Sequence, residues 1–320
     1  MALFVVTTRL PSSALEMLRA AGELRAADVA GVLPRAELLE LVAGADVVLT
    51  QLGDRVDDEL LEAAGPGLRC VCNVAVGYDN VDLAAAARHG VAVTNTPGVL
   101  DDATADLAIA LTLIATRRLG EGERLIRSGQ PWHWSMEFML GSGLRDKLLG
   151  VVGLGGIGSR VAERARAFGM RIAYNNRGVA PAAVTGPLGA ERLELDELLA
   201  RADVLTLHCP LTDETRHLIG AAELAAMKPS ATLVNTARGP VVDEAALVDA
   251  LRSGEIAAAG LDVFEREPEV HPGLLELDNA VLVPHLGSAT VETRTAMAEL
   301  AARNAIAAAN GEPLPTPVSS

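Results

Sequence analysis

The stretch from Lys147 to Arg177, KLLGVVGLGGIGSRVAERARAFGMRIAYNNR, constrains this chain more than any other. Leu148 to Val152 is a short apolar run with β-branched residues, the pattern of a strand buried in a parallel sheet. It runs into Gly153-Leu154-Gly155-Gly156-Ile157-Gly158, a G-x-G-x-x-G turn in which each glycine has its own task. Gly153 permits the tight turn, Gly155 lets the backbone approach a pyrophosphate, and Gly158 lets the next helix lie close to the strand. Ile157, Val161, Ala162, Ala165 and Phe168 recur at helical spacing, with Gly169 as the C-terminal cap. Met170, Ile172 and Tyr174 alternate with Arg171 and Ala173, which predicts a second parallel strand reached by a right-handed crossover. Strand, turn, helix and strand in this order predict a dinucleotide whose phosphates sit on a helix N-terminus, where unpaired amides and the helix dipole favour an anion.

The second strand ends in Tyr174-Asn175-Asn176-Arg177, with no carboxylate. A carboxylate there would bond the adenosine ribose hydroxyls and repel a 2′-phosphate. Arg177 can instead pair with that phosphate and Asn176 can donate to it, so NADP(H) is expected over NAD(H), with NAD(H) still possible. The competing reading makes Arg177 a solvated turn residue.

A length of 320 residues suits two domains with full cores. Half of the residues are hydrophobic, yet the longest apolar run, around Leu107 to Ala115, fits one buried helix and falls short of a membrane span. The opening MALFVVTTRLP lacks the basic and apolar regions of a signal peptide, so a cytoplasmic protein is expected. Cys70 and Cys72 share one face of a strand and suit a reduced core better than a disulfide; with Cys209 they offer too few ligands for zinc, so no metal is expected. The 27 basic against 42 acidic residues, a formal charge of −15, argue against nucleic acid or an anionic membrane as partner. An anionic substrate must therefore be held by a local positive site.

Before the glycine turn the chain already alternates strand and helix. Leu3 to Thr7 reads as a strand, Pro11-Ser12-Ser13 as a helix start, Leu38 to Val42 as a helix, and Asp46 to Thr50 and Leu68 to Asn73 as further strands. Val76 and Gly77 follow the last of these, at the sheet edge that faces ligands in such folds. There the main chain binds a substrate carboxylate or keto oxygen, or makes a plain turn in which Gly77 permits an unusual backbone. Val91 to Thr94 is another strand, Pro97-Gly98 marks a hinge, and a mostly buried helix starts near Asp101. Trp132 and Trp134, the only tryptophans, flank His133 in a loop; they mark an interface or pack beneath that loop.

Four later strands deliver residues to one edge of their sheet. Val204 to His208 ends at Cys209-Pro210, near the adenosine. The other three lead to Arg238, Glu267 and His285. Hydride transfer between a nicotinamide and a 2-keto acid needs an anion clamp, a proton donor, and a group that orients the donor and keeps it charged. Arg238 can bind the substrate carboxylate bidentately, His285 can protonate the developing alkoxide, and Glu267 can favour and position the imidazolium; Asp262 is a secondary candidate.

These segments, VGYDNVD (Val76 to Asp82), TNTPGVLDDATADLA (Thr94 to Ala108), GLGGIG, HCPLT (His208 to Thr212), NTARG (Asn235 to Gly239), GLDVFEREP (Gly260 to Pro268) and PHLGSAT (Pro284 to Thr290), resemble the D-isomer-specific 2-hydroxyacid dehydrogenase family over essentially the whole chain. Within it the chain looks most like the glyoxylate/hydroxypyruvate reductases. The resemblance implies an α/β fold of two Rossmann-like or flavodoxin-like domains with doubly wound parallel sheets. A cofactor domain, residues 97–286, is inserted into a substrate domain, residues 1–96 and 287–320. It implies cofactor contacts at Thr104, Thr215, Thr236, Ala237, Arg238, Asp262, His285 and Gly287 beside those of the turn. It also implies a substrate or histidine contact from Ser288, and a homodimer in which Trp134 of the partner shapes the pocket. The implied reaction is reduction of glyoxylate to glycolate and of hydroxypyruvate to D-glycerate, with NADPH expected from Asn176 and Arg177. A 2-ketogluconate reductase and a nicotinamide-sensing binding protein are the competing readings. The chain departs from the common pattern at two positions, Asn176 where many relatives carry aspartate and Asp146 where a turn glycine is common.

Overall fold

The computed structural model describes residues 1–318, which form two compact units, Met1–Leu100 with the segment from Ala289 onward, and Asp101–Ser288. The crossings thus follow Leu100 and Ser288 rather than residues 96 and 286. The local reason is hydrogen bonding and helix register. The loop of Pro97 and Gly98 precedes a helix that starts at Asp101, and Gly287 is bonded to Asp262 of the second unit.

The first unit contains β1 (Leu3–Val6), α1 (Ser12–Ala21), β2 (Glu23–Ala26), α2 (Arg35–Val42), β3 (Val47–Thr50), α3 (Asp58–Ala64), β4 (Cys70–Asn73), α4 (Leu83–Arg88) and β5 (Ala92–Thr94). Its five strands are all parallel in the order β2-β1-β3-β4-β5, a flavodoxin-like doubly wound sheet. Both faces are covered, which is why the strands read as apolar runs. Val5, Val48 and Val71 face one core, and Phe4, Val47, Cys70 and Cys72 face the other. Cys70 and Cys72 are buried free thiols with Sγ atoms 3.7 Å apart. The strand Glu23–Ala26 escapes a sequence reading because it is a short, polar edge strand without alternation.

The second unit opens with α5 (Asp101–Thr116) and α6 (Leu119–Arg127). It continues with β6 (Leu148–Val152), α7 (Gly156–Ala167), β7 (Arg171–Asn175), α8 (Ala182–Leu188), β8 (Glu191–Arg192), α9 (Leu195–Arg201) and β9 (Val204–Leu207). It ends with α10 (Ala221–Ala226), β10 (Thr232–Asn235), α11 (Glu244–Ser253), β11 (Ala258–Leu261), α12 (Pro272–Leu275) and β12 (Ala280–Leu282). The parallel order β12-β11-β10-β9-β6-β7-β8 reverses between β6 and β9, so the glycine turn at the end of β6 stands at the topological switch point. The alternation in β7 separates two buried faces, not a buried from a wet one. Ile172 and Tyr174 join one core and Ala173 the other.

Three details of this unit differ from or refine the sequence reading. Phe168, which shares the helical spacing of Val161 and Ala165, is 44% exposed, because α7 ends at Ala167 and Gly169 turns the chain at φ 78°. Asp146 adopts φ 64°, the left-handed backbone that a glycine supplies without cost and aspartate tolerates. At Gly260 an added Cβ would stand 2.9 Å from Leu111 Cβ, so a side chain there would push α5 off β11.

The last helix, α13 (Val291–Asn310), belongs to the first unit and packs on α1, β3 and β4. Ala298, Ala301, Ala302 and Ala305 let it lie close to the Cys70 and Cys72 face. Beyond it, Thr316 accepts from and donates to Asn304, and Val318 N donates to Val93 O at 2.8 Å, which ties the tail to β5.

Candidate active site

The glycine turn lies against backbone at two points, the end of β9 and its own first carbonyl, and is open at a third. A Cβ on Gly153, whose φ is 97°, would stand 2.7 Å from Cys209 N, and one on Gly158 would strike the Gly153 carbonyl. At Gly155 nothing lies within 4 Å, so this is where a phosphate can approach the N-terminal amides of α7. Leu154 N donates to Asn176 Oδ1 at 2.7 Å, which ties the turn to the end of β7 and directs the amide NH2 of Asn176 elsewhere. The residues present therefore fit a dinucleotide.

Around this turn, Asn175 Nδ2 donates to Leu193 O at 2.9 Å, and Arg177 is exposed. Cys209 and Pro210 begin a turn organised by Thr215, whose hydroxyl donates to Pro210 O at 2.7 Å and accepts from Thr212 N at 2.8 Å. His208 contacts Thr206 Oγ1 at 2.8 Å and Thr236 Oγ1 at 3.4 Å, and burial pushes its imidazole down to about 3, so it stays neutral between the ends of β9 and β10. The sequence gives no sign of this role, because His208 stands there only as part of a motif.

Arg238, Glu267 and His285 all lie in the second unit, past the ends of β10, β11 and β12. His285 Nδ1 and Glu267 Oε2 are 2.7 Å apart, and their side chains are 33% and 35% exposed, reachable by substrate and partly shielded from water. The other Glu267 oxygen accepts from Phe264 N at 3.0 Å. Burial pushes the Glu267 carboxyl up, but the hydrogen bond and charge of His285, the Phe264 amide and the Arg238 guanidinium outweigh it and hold the carboxyl below its ordinary value of 4.5.

Asp262, which the sequence ranks second, holds the histidine in place. His285 has φ 52°, an uncommon backbone for a histidine, and its N–H donates to Asp262 O at 2.8 Å. The Asp262 carboxylate, 1% exposed, accepts from Leu286 N at 2.5 Å and Gly287 N at 2.8 Å. Burial raises its pKa despite those bonds, the cost of placing a carboxylate where two consecutive backbone amides can be fixed to it. A Cβ on Gly287 would meet Asp262 Oδ2 at 3.2 Å and Thr104 at 3.4 Å, so Thr104 helps close this strap rather than standing apart from it.

A second brace leaves no trace in the sequence. Glu265 N donates to Glu244 Oε1 at 2.7 Å and Glu244 N donates to Glu265 Oε1 at 2.9 Å, pinning the start of α11 to the segment that carries Glu267. An added Cβ on Gly239 would strike the Phe264 carbonyl carbon and oxygen, so only glycine lets the Arg238 loop lie against that segment. Asn235 adds to the loop by donating to Arg238 O at 2.8 Å and accepting from Ala237 N at 3.0 Å. Single residue types carry no signal for such backbone-to-carboxylate exchanges.

Glu267→Gln keeps the shape and removes the charge. Turnover should slow about tenfold or more, because the imidazole loses the carboxylate that orients it. Initial rates check this; an unchanged rate would separate Glu267 from the reaction. Since the Glu267 pKa is depressed by folding, its contribution to stability is complete above about 4.5 and is lost as pH falls through the lower folded value.

Val76, Gly77, Ser288 and Trp134 are not drawn together within one unit. Val76 and Gly77 follow β4 in the first unit, where their carbonyls accept from Asn95 Nδ2 at 2.8 Å and Asn73 Nδ2 at 2.9 Å, leaving main-chain N–H groups as the donors of the turn. Among the described residues Gly77 is not one of the glycines with positive φ, so the side-chain bonds shape this turn and the expected backbone freedom is unused. Ser288 is half-buried at the end of the second unit. Trp134 is 76% exposed and Trp132 49%, with Trp132 stacked on Phe138 at 6.1 Å between ring centroids. Among the described residues no acidic, histidine or cysteine cluster is placed to hold a metal, and no helix is long and apolar enough to cross a membrane.

The fold, glycine turn and histidine–glutamate pair define a nicotinamide-dependent dehydrogenase. A family model described as the NAD-binding domain of D-isomer-specific 2-hydroxyacid dehydrogenases matches residues 109–287. A protein named glyoxylate reductase from Thermococcus litoralis is 48% identical over 312 residues, 96% of this chain and 93% of that protein. A crystal structure of a protein from Thermus thermophilus is 46% identical with a TM-score of 0.92, covering 99% of this chain and 100% of that one. An NADPH-dependent glyoxylate/hydroxypyruvate reductase from Sinorhizobium meliloti, solved with NADP and malonate, is 35% identical with a TM-score of 0.85, covering 99% of this chain and 97% of that one. The chain belongs to the D-isomer-specific 2-hydroxyacid dehydrogenase family and is an NAD(P)-dependent oxidoreductase.

Proposed function

We propose that this enzyme reduces small 2-keto acids, glyoxylate and hydroxypyruvate, to glycolate and D-glycerate with NADPH. The observation that carries the reading is the 2.7 Å contact of His285 with Glu267, on a strap fixed to buried Asp262 and beside Arg238. The bound nicotinamide supplies or accepts the hydride. Arg238 holds the substrate carboxylate through a forked, charge-assisted pair and polarises the keto group. With Nδ1 turned to Glu267, His285 presents Nε2 to the keto oxygen and gives it a proton as the alkoxide develops. Ser288 contacts the substrate or the histidine. The relatives named glyoxylate reductase support the substrate class.

For the cofactor, the lack of a carboxylate at the end of β7 and the exposed Arg177 beside Asn176 support NADP(H), as does the bound NADP of the Sinorhizobium meliloti reductase. Thr104, Thr236, Ala237 and the turn of Cys209, Pro210 and Thr215 complete the cofactor contacts. The working form is a homodimer. A second copy covers the apolar side chains left exposed between α6 and β6, where Trp134, Met136 and Leu140 are 76%, 78% and 63% exposed, and Trp134 of the partner shapes the substrate pocket.

Initial rates with glyoxylate, hydroxypyruvate and 2-ketogluconate, each with NADPH and NADH, test the reading. NADPH with the two small acids should be fastest; a preference for 2-ketogluconate keeps the chemistry and moves the substrate. Arg177→Ala should raise the KM for NADPH about tenfold and leave that for NADH in place. Equal losses would remove Arg177 from 2′-phosphate recognition.

A further inference from the structure

The short strand β8 places a second guanidinium at the end of β7. Arg192 pairs in register with Tyr174, and the following residue is locked on both sides: Leu193 N donates to Tyr174 O at 2.9 Å and Leu193 O accepts from Asn175 Nδ2 at 2.9 Å. Leu193 itself is 5% exposed, so this edge is anchored in the core. From that anchored backbone Arg192 Nη2 reaches the Asn176 carbonyl at 3.4 Å while its side chain remains 36% exposed. Arg177 is the next residue after that carbonyl.

Two cations therefore flank Asn176, whose Oδ1 is already taken by Leu154 N. The acidic groups nearby are peripheral. Glu194 is 3.8 Å from Arg192 and 80% exposed, and Glu214 is fully exposed, its carboxyl held below the ordinary range first by Thr212 and to a smaller extent by Arg177. Arg192, in hydrogen-bond reach of the Asn176 carbonyl, and Arg177, the next residue, give the end of β7 two positive charges, and screened surface carboxylates offset little of them. A phosphate monoester, with a charge near about −2 and three acceptor oxygens, offsets them directly. The free hydroxyls of an NAD ribose do not.

We infer that Arg192 is a specificity-determining residue for the cofactor, the second cation of a 2′-phosphate subsite made with Asn176 and Arg177. The inference rests on the NADPH reading above and names the residue that sharpens it. Arg192 belongs to the subsite through sheet pairing, whereas Arg177 reaches it through the turn. The two contributions should thus be separable.

The experiment is a fluorescence titration of wild type, Arg177→Ala, Arg192→Ala and Arg192→Lys with NADPH and NADH, with 2′-AMP and 5′-AMP as competitors. Arg192→Ala should weaken NADPH and 2′-AMP about tenfold and leave NADH and 5′-AMP unchanged, with partial recovery in Arg192→Lys. Equal weakening of both cofactors would make Arg192 a mere support of β8 and overturn the inference. If Arg177→Ala discriminates between the cofactors and Arg192→Ala does not, only the Arg192 assignment fails. If wild type binds 2′-AMP no tighter than 5′-AMP, the NADPH reading fails and the inference with it.

Discussion

His285→Ala should lower kcat for reduction by about three orders of magnitude at neutral pH while leaving cofactor binding nearly intact. The argument is geometric. The imidazole is held by a carboxylate at 2.7 Å, and its backbone, at φ 52°, is fixed by the Asp262 carbonyl and by two bonds from the next residues to the Asp262 carboxylate. Alanine removes the donor without releasing the strap, because those bonds are made by the main chain. Cofactor binding, built on the glycine turn at the end of β6, should survive. Stopped-flow reduction together with a cofactor titration checks both halves. Turnover within about tenfold of wild type would sink the acid assignment.

Arg238→Lys should cost about two to three orders of magnitude in kcat/KM for the keto acid, chiefly by weakening substrate, although the formal charge is kept. A guanidinium offers two parallel donors to a carboxylate and an ammonium offers a single point charge. The loop around Arg238 leaves little room for adjustment. Asn235 holds its carbonyl, Gly239 lies against the Phe264 carbonyl, and Glu244 with Glu265 pins that segment from behind. A lysine ammonium cannot be moved into place by a shift of this backbone. Recovery of activity by added guanidinium would support the clamp, and a loss confined to stability would assign Arg238 a structural role.

Much of the second unit is legible in the linear chain because its elements are local. Leu148 to Val152, the three glycines and the spacing of Val161, Ala162 and Ala165 encode strand, turn and helix within one short stretch. Arg238, Glu267 and His285 are legible for a different reason: each follows a strand, and parallel strands of one sheet deliver such residues to a common edge. Gly169 turns the chain where the sequence places the helix cap, but Phe168, although it shares the helical spacing, sits at that cap and is exposed. The edge strand Glu23–Ala26 and the strand of Arg192 are illegible because so few residues, mostly polar, have no periodicity to detect.

The strand–helix alternation, the dinucleotide turn, the residue types at three strand ends and the lack of a carboxylate after Tyr174 are readable in the linear chain. Each of these depends on residue type and spacing along the chain. The folded sheet alone shows that Asp262 fixes the strap of His285, that Glu244 and Glu265 exchange backbone bonds, that Thr215 organises the turn at Cys209, and that Arg192 reaches the Asn176 carbonyl. Those contacts join residues far apart in sequence, or depend on the register of an edge strand, and both become fixed only when the sheet assembles.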